Sequence, residues 1–160
     1  MSISKCVNLL DLLNEYPKET IEIIKQKYLT LLSELTIVID LETDLFLQNV
    51  ESIHQMGCIL VKYVSSPELP DFDIIASGTI IIEPKIIRGG KSVGHIEDIV
   101  VKSEYRGKGL VKEILEQLQS HATRCNCYKT ILDCSEHVKG IYEKYGFVEK
   151  GLQMIHLIHL

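Results

Sequence analysis

The chain has no apolar run of the roughly 18 or more residues that crossing a bilayer requires, so no transmembrane helix is read from it. Its N-terminus, Met1-Ser2-Ile3-Ser4-Lys5-Cys6, has no basic stretch leading into an apolar block, so a cytoplasmic location is expected rather than secretion. Positive charge is in deficit, with 17 Lys and Arg against 22 Asp and Glu and a net charge of −5. That argues against nucleic acid as a partner, and any anion site must come from a local concentration of cations. The cysteines are five, an odd number. Cys125 and Cys127 form a lone C-x-C without a second Cys/His pair at zinc spacing, so reduced thiols and no metal are expected. No repeat, low-complexity stretch or domain boundary interrupts the 160 residues. With 46% apolar and 24% charged residues, residues 1–160 read as one globular domain large enough to bury a core.

What is present is a regular alternation of periods. Thr20 to Leu35 carries Ile21, Ile24, Tyr28, Leu31, Leu32 and Leu35 at helical spacing, with Thr20 as the expected N-cap. Glu42 to Met56 reads as a second helix, with Leu45, Phe46, Val50 and Ile53 on one side, and Gly57 ends it. Strand composition follows at Cys58–Val64, Asp73–Glu83 and Val93–Val101, with a proline-bearing turn over Ser65–Asp71 and a connection at Arg88-Gly89-Gly90. These three runs are most simply an antiparallel meander. An amphipathic helix is expected from about Gly109 to Ala122. A strand over Tyr128–Cys134 and a short helix bearing Val138, Ile141 and Tyr142, capped by Gly146, come next. Phe147-Val148 and then Leu152–Leu160 are expected to close the chain as strand. The order predicts an α+β (mixed α/β) fold, a central mostly antiparallel sheet flanked by helices.

Two segments could carry chemistry. Tyr105-Arg106-Gly107-Lys108-Gly109-Leu110-Val111-Lys112 lies between a strand and an amphipathic helix. Its glycines allow a sharp turn, the helix start offers unpaired N–H groups and a positive dipole end, and three cations sit in an acidic chain. This suits a phosphate or pyrophosphate cradle; the alternative is a basic turn that merely starts a helix. It is neither a Walker P-loop nor a dinucleotide fingerprint. The second segment, Gly94-His95-Ile96-Glu97-Asp98-Ile99-Val100-Val101, sets two carboxylates in a β-branched run. Alternation predicts His95, Glu97 and Ile99 on one face and Ile96, Asp98 and Val100 on the other. Carboxylates are poor strand residues unless solvated or used. They either point to solvent or recognise an amine and hydroxyls, one serving as a base. His95 alone more often satisfies a local hydrogen bond than catalyses.

The order strand, Arg106-x-x-Gly109-x-x, helix is similar to the acetyl-CoA signature of the GNAT superfamily of N-acetyltransferases. The flanking blocks Gly78–Ile87, Gly94–Ile99, Cys127–Lys129, Ile131–Cys134 and Tyr142–Phe147 resemble the eukaryotic glucosamine-6-phosphate N-acetyltransferases, over roughly half the chain. The resemblance implies a GNAT fold that uses acetyl-CoA as co-substrate and no metal. It further implies a homodimer and a place in UDP-N-acetylglucosamine biosynthesis. It implies that the backbone at Ile99, Val100 and Val101 holds the acetyl carbonyl and pantetheine arm through a splay between strands. Arg106, Gly107, Lys108, Gly109, Leu110 and Val111 would hold the pyrophosphate. Thr36, Lys85, Ile86, Ile87, Arg88, Glu97, Asp98, Tyr128 and Lys129 would line a sugar-phosphate pocket. Asp133 would orient the amine, with Glu97 a possible base, and Tyr142 would protonate the leaving thiolate.

Three departures stand out. Val111 occupies the place the motif reserves for Gly or Ala, so Val111→Gly is expected to tighten acetyl-CoA binding. The Asn that usually opens the Tyr-bearing helix is absent near Val138. The family's C-terminal basic phosphate ligand falls at about Leu157, with His156 and His159 nearby, which shifts that role toward Lys85, Arg88 and Lys129. A transferase for another amine, such as a polyamine or a protein N-terminus, and an idle acyl-CoA-binding module remain alternatives. The cations of the acceptor pocket argue against a polyamine, and Tyr142, Glu97 and Asp98 argue against the idle module.

Overall fold

The computed structural model describes residues 2–4, 6–65 and 72–158. Two short strands, β1 (Ser2–Ile3) and β2 (Val7–Asn8), precede helices α1 (Leu9–Asn14), α2 (Lys18–Leu32) and α3 (Thr43–Met56). Then come β3 (Gly57–Ser65), β4 (Asp73–Pro84), β5 (Ser92–Val101), α4 (Leu110–Arg124), β6 (Cys127–Ile131) and α5 (Glu136–Glu143). Single 3-10 turns occupy Arg88–Gly90 and Ser103–Tyr105. The sheet runs β1-β3-β4-β5-β6, with β2 also paired to β3. All pairs are antiparallel except β5 and β6, which are parallel.

The expected mixed architecture and central meander are therefore present. The first forty residues hold an additional element, α1. Asn8 caps it by accepting from the Leu10 N–H at 2.9 Å, and it buries Leu9, Leu12 and Leu13. At six residues it is too short to show helical periodicity beside a flanking strand. Helix α2 starts at Lys18, after Pro17, rather than at a Thr20 cap, and it ends before Leu35 and Thr36. The core lies on both faces of the sheet. One cluster gathers Leu9, Leu12, Ile24, Tyr28, Phe46 and Val50 from α1–α3 against Val61, Ile74 and Val100. The other packs Ile114, Leu115 and Leu118 of α4 against Ile75, Ile80, Ile96 and Val101.

Ile96 and Val101 share a face although they are five residues apart, which a regular strand forbids. The reason is a β-bulge. Thr79 pairs with Glu97 and Ser77 with Val100, so Gly78 alone stands opposite Asp98 and Ile99. Asp98 takes up the extra residue at φ 52°. Beyond it the faces exchange, so Val100 lies opposite to Ile96, contrary to simple alternation. A Cβ on Gly78 would stand 2.5 Å from Ile99 Cδ1 and 2.6 Å from Ile114 Cγ2, so this position has no room for a side chain.

The closing strands differ from expectation too. β6 ends at Ile131 rather than Cys134, and no described residue after Glu143 is in a strand. Leu152, Met154, Ile155, Leu157 and Ile158 are exposed, Leu152 by 92%. A strand needs a neighbour to receive its backbone hydrogen bonds, and among the described residues this segment has none. His159 and Leu160, and the expected turn over residues 66–71, lie outside the described residues.

Candidate active site

The site is built where β5 and β6 part. Their pairing runs from Ser92–Cys127 to His95–Ile131 and stops there, while β5 continues to Val101. Beyond that point the edge of β5 is open, which is the splay the resemblance implies. The Lys102 N–H bonds Ile75 of β4 at 2.9 Å. Successive N–H groups on an antiparallel strand alternate in direction, so the N–H and C=O of Val101 face the open edge. The carbonyl is indeed met there, by Arg106 Nε at 3.0 Å.

Next along this edge is the glycine-rich turn into α4. Gly109 is its N-cap residue at φ 81°, and Gly107 has φ 74°. An L side chain in that region costs on the order of 1–2 kcal/mol. A Cβ at Gly109 would meet nothing within 4 Å, so glycine is present for the turn, and open space lies in front of it. Among the described residues, the N–H groups of Gly107 to Lys112 have no protein partner. An array of free amides at the positive end of a 15-residue helix has the makings of an anion site. Its cations are partly committed. Lys108 Nζ lies 4.6 Å from the Tyr105 ring centroid, and Lys112 sits 3.7 Å from Glu116. Arg106 pairs with Glu34 at 2.9 Å. Leu110 is buried in the core, and Val111 is half-buried against the same α4 cluster, so its side chain packs on the protein. Beneath the turn, Lys62 on β3 is buried and ion-paired with Glu113 in the first turn of α4.

At the other end of the splay lie the acid–base candidates. Glu97 is exposed, and its carboxyl is pushed above the usual range by partial burial, by Asp98 and by Asp133. Asp133 lies just past the end of β6. Tyr142 is half-buried, and burial, with Cys134 nearby, raises its phenol. A raised phenol stays protonated and can act as an acid. Its ring meets Phe147 edge-on at 6.0 Å, and its carbonyl accepts from Tyr145 N at 2.9 Å and Phe147 N at 3.2 Å. Tyr142, Asp133, Cys134 and Lys129 line one groove of about 530 Å³, whose far wall is the tail from Gly146 to Gln153. Asp133 accepts from Gln153 Nε2 at 3.1 Å.

The residues expected to bind sugar phosphate are brought together only in part. Two cations lie near the Tyr128 ring, Arg88 at 5.8 Å and Lys129 at 5.6 Å from its centroid. Lys85 pairs with Glu83, which also bonds His95 Nε2 at 2.8 Å. Both partners hold the Glu83 carboxyl below its usual range, so His95 has the local structural role. Ile86 and Ile87 are exposed, Ile86 by 99%. Thr36 is exposed in the turn after α2.

Three polar features of this region escape a linear reading. Glu34 and Lys62 find partners 72 and 51 residues away. The third is Tyr28 of α2, whose buried hydroxyl lies near those of Ser77 and Thr79 beside the bulge. Burial pushes its phenol up to about 12. The Ser77 hydroxyl is buried without a hydrogen-bond partner. Only their pattern as core residues on α2 and β4 is visible in sequence.

Comparison with known proteins places this geometry. The model of the acetyltransferase (GNAT) family matches residues 27–147. A glucosamine 6-phosphate N-acetyltransferase of Arabidopsis thaliana is 36% identical over 135 residues, covering 81% of this chain and 87% of that protein. The glucosamine 6-phosphate N-acetyltransferase 1 of Dictyostelium discoideum is 52% identical over 81 residues, 51% of this chain and 52% of its own. Among solved structures, glucosamine-6-phosphate N-acetyltransferase from Arabidopsis thaliana superposes with a TM-score of 0.81 at 31% identity. That match covers 99% of this chain and 100% of the other.

Proposed function

The chain belongs to the acetyltransferase (GNAT) family, and we propose that it transfers the acetyl group of acetyl-CoA to the 2-amine of D-glucosamine 6-phosphate. The observation that carries this reading is the single open edge from Glu97 to Val111. An amide cradle suited to a pyrophosphate stands at one end, and carboxylates with a protonated phenol stand at the other. The curated relatives reported above are named for this reaction.

In the proposed reaction the neutral amine attacks the thioester carbonyl. A C–N bond forms, the C–S bond breaks, and the amine proton passes to a carboxylate. An amine of pKa ~8 is only about a tenth neutral near pH 7, so a base helps. Glu97 suits the role because its affinity for a proton is raised, and Asp133 is placed to orient the amine. Amides aimed at the developing oxyanion would contribute about 3–4 kcal/mol per donor, and the free Val101 N–H faces the right edge. Tyr142 then gives its proton to the departing thiolate. Arg88 and Lys129, gathered around Tyr128, are the cations offered to the sugar phosphate.

We place the product at the entry to UDP-N-acetylglucosamine synthesis in the cytoplasm, and take the active unit to be a homodimer. The unpaired outer edge of β6 and the exposed apolar tail from Leu152 to Ile158 support a partner there. No described helix is long and apolar enough to cross a membrane. The test is free-thiol release from acetyl-CoA with glucosamine 6-phosphate, glucosamine or spermidine as acceptor. Turnover is expected with the sugar phosphate, weakly with glucosamine, and not with spermidine. Release with spermidine alone would replace the substrate.

A further inference from the structure

We propose that Glu34 and Arg106 form a positioning joint that holds the pyrophosphate turn in its binding shape, so that Arg106 acts through the turn's amides rather than as a phosphate ligand. This rests on the reading of residues Gly107–Val111 as the CoA cradle.

The joint is a closed circuit of hydrogen bonds. Arg106 donates from Nε to the Val101 carbonyl, the last residue of β5, at 3.0 Å. It donates from Nη2 to Glu34 Oε2 at 2.9 Å. The same carboxylate accepts from the Ser103 N–H at 2.9 Å through Oε2 and at 3.2 Å through Oε1. Ser103 opens the 3-10 turn, so its N–H is one of the groups such a turn leaves unpaired, and Glu34 satisfies it. The circuit spans residues 101 to 106 and leads directly into Gly107.

Two consequences follow from the charges. Glu34 neutralises the guanidinium at contact distance, so Arg106 adds little net potential to the cradle. Positive potential there falls to the free amides, the helix end, Lys108 and Lys112. A phosphate ligand would also be expected to point at the open space before Gly109, whereas two faces of this guanidinium are turned to the protein. The Glu34 side chain is 24% exposed and that of Arg106 58%. The pair alone is therefore screened and modest; its value lies in the Ser103 and Val101 bonds tied to it. Glu34 is also two residues before Thr36, so the acceptor-side turn after α2 and the cofactor turn share one fixed point.

A double-mutant cycle tests this in the full-length protein, with Glu34→Ala, Arg106→Ala, the double variant and Arg106→Lys. Kd is measured for CoA and for pantetheine, which lacks the pyrophosphate. Each single alanine variant is expected to weaken CoA binding about fivefold to tenfold, with the double variant no worse than the weaker single. Pantetheine binding stays unchanged, and kcat at saturating acetyl-CoA stays within about twofold while KM rises. Arg106→Lys behaves like Arg106→Ala, because one ammonium nitrogen does not reproduce the planar fork by which Nε and Nη2 reach Val101 and Glu34. Amide exchange at Ser103, Tyr105 and Arg106, whose N–H groups are bonded within the joint and its turn, accelerates in both single variants. Unchanged or tighter CoA binding in Glu34→Ala, additive losses, or rescue by Arg106→Lys would make Arg106 a direct ligand and overturn the joint. Were the wild type to bind CoA no better than pantetheine, the cofactor reading would fall, and the exchange measurement alone would decide the joint.

Discussion

The two ends of the open sheet edge are built differently. The end proposed for the cofactor is contiguous: Ser103 to Lys112 form one turn and the start of α4. It is braced from below by the Lys62–Glu113 pair and from the side by Glu34. The end proposed for the acceptor draws on Arg88, Glu97, Tyr128, Lys129, Asp133 and Tyr142 from five separate segments; of these Lys129, Asp133 and Tyr142 line one groove, whose far wall is an irregular, exposed tail. A cradle of backbone amides is preorganised by a few local φ angles. A pocket of long side chains must instead be ordered by its surroundings, here by an irregular segment tied through Gln153 to Asp133 and through Glu149 to Lys139. Substitutions at the first end should therefore act on cofactor affinity, and those at the second on turnover and acceptor affinity.

The sharpest test of this division is Tyr142→Phe. It keeps the ring contact with Phe147 and removes only the proton donor, so kcat should fall about a hundredfold with little change in either KM. Steady-state thiol release measures it, and an unchanged rate would remove Tyr142 from the chemistry. Next is Glu97→Gln, expected to lower kcat at least about tenfold. Its pH behaviour has a definite sign. The folded carboxyl holds its proton more tightly than the unfolded one, so stability at this site declines as pH rises from the unfolded pKa through the folded one. At neutral pH the Gln variant should thus unfold at slightly higher temperature while losing activity. The acid limb of wild-type kcat/KM should lie above the ordinary carboxylate value and disappear in the variant.

At the cofactor end, Gly109→Ala forces an L side chain to φ 81°. At on the order of 1–2 kcal/mol, KM for acetyl-CoA should rise about tenfold while kcat changes little; a selective fall in kcat would break the division. Lys129→Ala should raise KM for the sugar phosphate about threefold to fivefold, less at high salt because the site is exposed. Glucosamine lacking the phosphate should show no such change. The smallest effect belongs to Val111→Gly. The motif alone predicts tighter cofactor binding, but the Val111 side chain packs on the α4 cluster. Titration with CoA should then show less than about a threefold change, alongside a loss of roughly 1 kcal/mol in stability from glycine in a helix.

Legibility followed the range of the interactions. The α2, α3 and α4 faces and the three long strands show in sequence because each buries a periodic apolar set. The turn at Gly107–Gly109 shows because its conformation depends on residue type. The bulge does not show: Asp98 gains its left-handed backbone from the register of β4 against β5, and Gly78 is demanded by Ile99 and Ile114. Nor does the tail. Its apolar residues look like a buried strand, yet Leu152 and Met154 are exposed and no strand pairs with them among the described residues.

By itself, the sequence determined the mixed architecture, the glycine-rich basic turn before α4 and the inventory of acid and base groups, since those depend on local periodicity, backbone preference and side-chain chemistry. Only the tertiary structure decided that Arg106 is held by Glu34, that Lys62 supports the first turn of α4, and that the faces of β5 exchange at Asp98. Each of these is a contact between segments far apart in the chain, and hydrogen-bond and packing partners of that kind are selected by the fold rather than by neighbours in sequence.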